Sequence, residues 1–279
     1  MLISEAFNMY KNEYMRMRRQ SPRTEETHDY VSKNLSAFFK NKTIESLTIE
    51  DIRRWVECIN KTRSSNTVRG YIIKLRRVLA YCQSRGIAVV DVDLVPVPQR
   101  ADANPTFLTE EEVSRMISSA PNLRAKFVIS LLYSSGIRLA EFTSLNRDQI
   151  YQRKFTVTGK GGKVRLCFID SRTEKLMEQY LEARKDRSNA LVVSFQSQER
   201  MTRTNVELLV KNAARRAGIV KHVTPHTLRH SYATNFLRNN GNMRYLSAMM
   251  GHRSLDTTMM YAHVVDNDLE EQYKKYHST

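Results

Sequence analysis

The sequence predicts a mainly α chain of two domains, the second carrying one small β-hairpin. Three observations carry that prediction. Apolar residues recur at three- and four-residue intervals over much of the chain, the period of a helix with one buried face. A proline-bearing stretch near residue 100 lacks that period and separates two helical regions. One segment, 153–169, switches to a two-residue alternation around a Gly-rich turn.

Each element follows from its own residues. Helical patterns cover roughly 2–19 and 24–41. Thr48 with Asp51 three residues later has the form of a capping box and opens the next helix. In 66–85, Val68, Tyr71, Ile72, Leu75, Val78, Leu79 and Cys82 form a single stripe, with Asn66 as N-cap and Gly86 just past the end. Residues 94–106 (LVPVPQRADANPT) hold three of the six prolines. Proline restricts itself and its predecessor to extended geometry, so this stretch reads as a linker between domains 1–93 and 107–279. Thr109 and Glu112 make another capping box and open the second domain. In RKFTVTGKGGKVRLCFI, Phe155 and Val157 alternate, then Val164, Leu166 and Phe168. GKGG between them is the connection a hairpin needs. Further helices are expected over 124–134, 172–185, 204–217, 225–239 and 243–250.

Charge narrows the partners. The 279 residues carry 45 Lys and Arg against 29 Asp and Glu, a formal net charge of +16. The excess is spread, +7 over residues 1–100 and +9 over residues 101–279. Two basic halves suit a polyanion gripped by both, with salt-dependent affinity. A basic protein with solvated faces would show the same charge. No run approaches 18 consecutive apolar residues, and the first residues lack the apolar core of a secretion signal, so no membrane partner is expected. Cys58, Cys82 and Cys167 lack zinc-type spacing and read as reduced cysteines of a cytoplasmic protein.

The chemistry gathers in three segments. In TPHTLRHSYAT (224–234), Thr224 suits an N-cap and Pro225 the first helical position. His226, Arg229 and His230 then share one helix face, at an end that favours a phosphate. His-x-x-Arg alone is a weak signal, since a core histidine and a surface arginine produce it. In SSGIRLAEFTSL (134–145), Arg138 lies among apolar neighbours and wants an anionic partner; the plain alternative is a salt bridge to Glu141. MMGHRSLDTTMMYAH (249–263) adds His252 and, nine residues on, Tyr261, which alone would pass for a core aromatic.

SGIRLAEFTSL, GKGGK, HTLRHSYAT and MMGHRSLDTTMMYAH together resemble the catalytic boxes of the tyrosine recombinases and phage-type integrases, in the family's order. The layout is most similar to two-domain Xer-type recombinases and mobile-element integrases. The resemblance is dense in the second domain and rests in the first on helical pattern and position. It implies a catalytic set of Arg138, Lys160, His226, Arg229, His252 and Tyr261, all present in this chain. Lys160 and Lys163 share the hairpin, and the family pattern favours Lys160, directly after Gly159.

The resemblance also implies a two-domain clamp on double-stranded DNA, a helical core-binding domain on one side and the catalytic domain on the other. Four protomers would act on two sites through a Holliday junction, in the cytoplasm at the nucleoid. No carboxylate cluster of metal-binding type accompanies the candidate residues, so the chemistry is expected to need no metal, ATP or other cofactor. The tail 264–279 reads either as a frayed end or as a short helix docking on the next protomer. Two other functions share parts of the pattern: a type IB topoisomerase relaxing one duplex, and a non-enzymatic DNA-binding regulator.

Overall fold

The computed structural model describes residues 1–18, 20, 22–100, 106–159 and 162–251. The chain divides into two compact units between residues 103 and 104, within the proline-bearing stretch. Among the described residues it is mainly helical, with one two-stranded antiparallel sheet.

The first unit is built from α1 (Ile3–Tyr10), continued by a π-helical turn (Lys11–Met15), α2 (Pro22–Phe39), α3 (Ile49–Asn60) and α4 (Ser65–Ser84). Its core gathers Phe7, Leu35, Ile44, Trp55, Leu75 and Leu79, all fully buried. The Trp55 indole N–H donates to Asn34 Oδ1 at 2.8 Å, so the largest core side chain keeps its polar handle satisfied. All seven residues of the stripe expected on α4 are buried. The N-cap is Ser64, two residues before the expected Asn66: the Ser64 hydroxyl accepts from the Thr67 amide and starts the helix earlier. Gly86 follows that helix at φ +75°.

At the start of α3 the capping box is present. Asp51 accepts from the Thr48 amide at 3.0 Å and from Arg54 at 2.6 Å, and it is paired with Lys42. These partners, the Lys42 hydrogen bond foremost, hold its carboxyl well below the usual carboxylate range.

The second unit is organised by α6 (Leu123–Ser135). It is apolar nearly all round and packs against α5 (Glu110–Ser118), α8 (Ser171–Glu182), α9 (Arg203–Arg216) and α10 (Pro225–Arg238). A helix without a polar face belongs inside, and Phe127, Val128, Ile129, Leu131 and Leu132 are fully buried. The short α7 (Leu139–Ser144) follows α6, and α11 (Met243–Met250) follows α10.

Strands β1 (Lys154–Thr158) and β2 (Val164–Phe168) pair with Phe155 opposite Cys167 and Val157 opposite Arg165. Those four residues form the inner face of the hairpin, whereas Val164, Leu166 and Phe168 are exposed. The apolar alternation of β2 therefore faces outward, and the inward position opposite Val157 is held by an arginine.

Candidate active site

Two tight turns place the arginines. Gly136 ends α6 in the left-handed region, at φ +58°, and a side chain there would run into the Tyr232 ring. The chain then reverses, and Arg138 becomes the N-cap of α7. Glu141, at the third position of that helix, accepts the Arg138 amide at 2.7 Å and Arg138 Nη1 at 3.1 Å. The salt bridge to Glu141 foreseen for Arg138 is thus formed, yet the Arg138 side chain remains 35% exposed. Its Nη2 donates to the Gly251 carbonyl at 3.3 Å.

Arg229 comes from the opposite side, on α10. The helix begins as its sequence requires, with the Thr224 hydroxyl accepting the Thr227 amide at 3.2 Å and Pro225 in its first turn. Arg229 is only 4% exposed. It donates to the Gly136 carbonyl and, through Nη2 at 2.7 Å, to the Met250 carbonyl. The His226 and His230 rings lie 6.1 Å apart on the same helix. Withdrawal from water, then the charges of Arg229 and Arg138, hold the pKa of His226 below its ordinary value. Burial, then His226 and Arg229, push that of His230 down to about 4. Near neutral pH both imidazoles are uncharged, and a neutral imidazole can accept a proton.

A third arginine, which the sequence did not single out, completes the arrangement. Arg165 on β2 turns inward and spans Glu141 with two parallel hydrogen bonds, Nη1 to Oε1 at 2.8 Å and Nη2 to Oε2 at 2.7 Å. Its Nε donates to the Met249 carbonyl at 2.8 Å. Burial alone would raise the pKa of Glu141; the contacts from Arg165 and Arg138 outweigh it, and the carboxyl lies below the usual range.

The last carbonyls of a helix have no partner within it. At the end of α11, Met249, Met250 and Gly251 give theirs to Arg165, Arg229 and Arg138 respectively. Gly251, at φ +63°, lies so close that a Cβ there would be 2.8 Å from Arg165 Cδ. Of the six candidate residues, Arg138, His226 and Arg229 are brought to this one place. Lys160, His252 and Tyr261, and with them the tail 264–279, lie outside the described residues. Among the described residues no three His, Cys, Asp or Glu side chains are grouped to hold a metal ion. No helix of these is long and apolar enough to cross a membrane.

Guanidiniums converging beside imidazoles on a helical scaffold form a site whose donors suit an anion such as a phosphate. Comparison with known proteins gives the class of protein. The phage integrase family matches residues 106–268. Tyrosine recombinase XerD of Oceanobacillus iheyensis is 30% identical over 253 residues, covering 85% of this chain and 85% of that protein. The crystal structure of XerA recombinase aligns over 99% of this chain and 98% of that one, with TM-score 0.57 and 27% identity. XerH site-specific recombinase, bound to a palindromic difH substrate in a post-cleavage complex, shares the fold at TM-score 0.76 and 20% identity, over 89% of this chain and 78% of that one.

The chain belongs to the phage integrase family. It is a tyrosine-type site-specific recombinase, an enzyme of DNA recombination.

Proposed function

We propose that the chain cuts and rejoins DNA through a covalent 3′-phosphotyrosine on Tyr261, with exchange passing through a Holliday junction. The observation that carries this reading is the meeting of Arg138 and Arg229, from separate helices, at the end of α11. In sequence, the segment holding His252 and Tyr261 begins directly after it.

The roles follow from charge. The Tyr261 oxygen attacks phosphorus as its proton passes to the neutral His226. Negative charge grows on the non-bridging oxygens, where Arg138 and Arg229 donate and His252 adds a hydrogen bond. The bond to the 5′-oxygen breaks, and Lys160 protonates that oxygen as it leaves. Religation runs the steps backward with another strand's 5′-hydroxyl. His230 orients His226 through the ring contact described above. These steps use only protein side chains and DNA.

Residues 1–93 and 107–279, joined by 94–106, both bind the duplex, and four protomers act on two sites in the cytoplasm, at the nucleoid. The tail 264–279 docks on the next protomer. The basic charge of both halves supports binding by both. Tyr261→Phe removes the nucleophilic oxygen and keeps the ring. The expected outcome is retained binding of a half-site and complete loss of the covalent protein–DNA adduct on denaturing gels. Adduct formation by the Phe variant would place the nucleophile elsewhere.

A further inference from the structure

Two arginines share Glu141 unequally. Arg165 covers both carboxylate oxygens at 2.8 and 2.7 Å and is 9% exposed. Arg138 reaches one oxygen with its side chain, at 3.1 Å, and is 35% exposed. Glu141 is 6% exposed, so its charge must be met by cations already beside it. If Arg165 were withdrawn, the remaining neighbour able to form two parallel bonds to that carboxylate would be Arg138. A guanidinium closed on a buried carboxylate cannot present the same edge to a phosphate.

We infer that Arg165 is a positioning residue: by covering both oxygens of Glu141 it keeps that carboxylate from closing on Arg138, and so leaves the Arg138 guanidinium turned to the DNA phosphate. The inference rests on the reading of Arg138 given above. It assigns Glu141 two opposed effects. Through the Arg138 amide it fixes where the side chain starts, and through its charge it competes for where the side chain ends. Arg165 neutralises the second effect and spares the first. The same side chain joins the hairpin to the end of α11, so its place is set from both sides.

The test uses the full-length protein, an equilibrium half-site binding assay and the rate of adduct formation at saturating protein. Arg165→Gln should bind within about twofold of the parent and form adduct roughly a hundredfold more slowly, the size of losing one charge-stabilising donor. Adding Glu141→Gln removes the competing charge and should recover about tenfold of that loss. A double variant as slow as Arg165→Gln alone, or a loss of half-site binding parallel to the loss of rate, would reduce Arg165 to a prop of the fold. Should Arg165→Gln fail to fold, Arg165→Lys makes the same test. Lysine keeps the charge but cannot cover both oxygens, and its smaller defect should again be relieved by Glu141→Gln. An adduct formed by a Tyr261→Phe control would overturn the underlying chemistry instead, whatever Arg165 does.

Discussion

Both units bury a carboxylate and satisfy it, but they find the partners at different distances along the chain. Asp51 in the first unit is met by Lys42, Thr48 and Arg54, all within nine residues. Glu141 in the second is met by its neighbour Arg138 and by Arg165, 24 residues on and on a different kind of element. Arg229 reaches further still, to the carbonyl of Gly136, 93 residues before it. A buried charge satisfied locally secures the end of one helix. One satisfied across the fold fixes several elements at a point, as the proposed site for a reacting phosphate requires. Substitutions in the second network should therefore change chemistry, and those in the first should change stability.

The largest expected effect tests the chemical side of that contrast. Lys160→Ala should slow cleavage by roughly a hundred- to ten-thousand-fold, the range for a lost general acid. A substrate whose bridging 5′-oxygen is sulfur leaves without needing that proton and should restore the variant to near the parent rate. Lys163→Ala should show only a modest defect; rescue by sulfur of Lys163→Ala alone would exchange the two assignments.

Next come the two arginines. Each alanine variant should lower the rate of adduct formation by about a hundred- to a thousandfold. Arg229→Ala should also lower stability by about 1–3 kcal/mol, because two buried carbonyls lose their donor. Arg138→Ala, a third exposed, should lower it by less than about 1 kcal/mol. Equal stability losses in chemical denaturation would erase the distinction between them.

In the first unit, Asp51→Asn should cost about 1–2 kcal/mol, the scale of a lost cap, and change the cleavage rate at saturating protein by less than about twofold. A large rate defect at saturation would mean that this local lock also serves the reaction.

The smallest effect treats both units alike. His28, withdrawn from water beneath the Phe7 carbonyl, and His230 both have lowered pKa values. Unfolded, each takes a proton below about 6.5, which the folded ring refuses. The unfolded state then binds more protons, so stability is full above pH 6.5 and falls as pH drops towards 4. At pH 5.5 the loss from His230 should be about 1 kcal/mol, with His28 adding to it in the same direction, seen as a lower denaturation midpoint. Constant stability from pH 7 to 5.5 would contradict the burial of both rings.

The same contrast explains what was legible in the sequence. Caps, stripes and turns are local, so Thr48 with Asp51, Thr109 with Glu112, Thr224 with Pro225 and the α4 stripe could all be read before any coordinates. The six candidate residues came from motif order, and geometry can speak for the three that are described. Arg165 was not legible by the rule applied to its strand. Alternation singled out Val164, Leu166 and Phe168 on that strand, whereas the pairing that leaves the turn with Thr158 opposite Val164 puts Val157 opposite Arg165 on the inner face. Counting outward from that turn would have found it. The carbonyls of α11 could not have been found this way, because no side-chain pattern records which backbone oxygens receive a donor.

Those three carbonyls have a consequence for insertions. Successive residues of a helix are set about 100° apart around its axis, so the Met249 and Met250 carbonyls sit at different places on the rim of the last turn, and Gly251, the left-handed cap just past it, adds a third. Each place is taken by an arginine from a different element. The end of α11 thus behaves like a keyed plug with one seating. Changing a side chain on its outer surface leaves the key intact, whereas adding or deleting a single residue between Asn242 and Met249 rotates all three contacts at once. Length, rather than composition, is the property of this helix that the fold can least afford to vary.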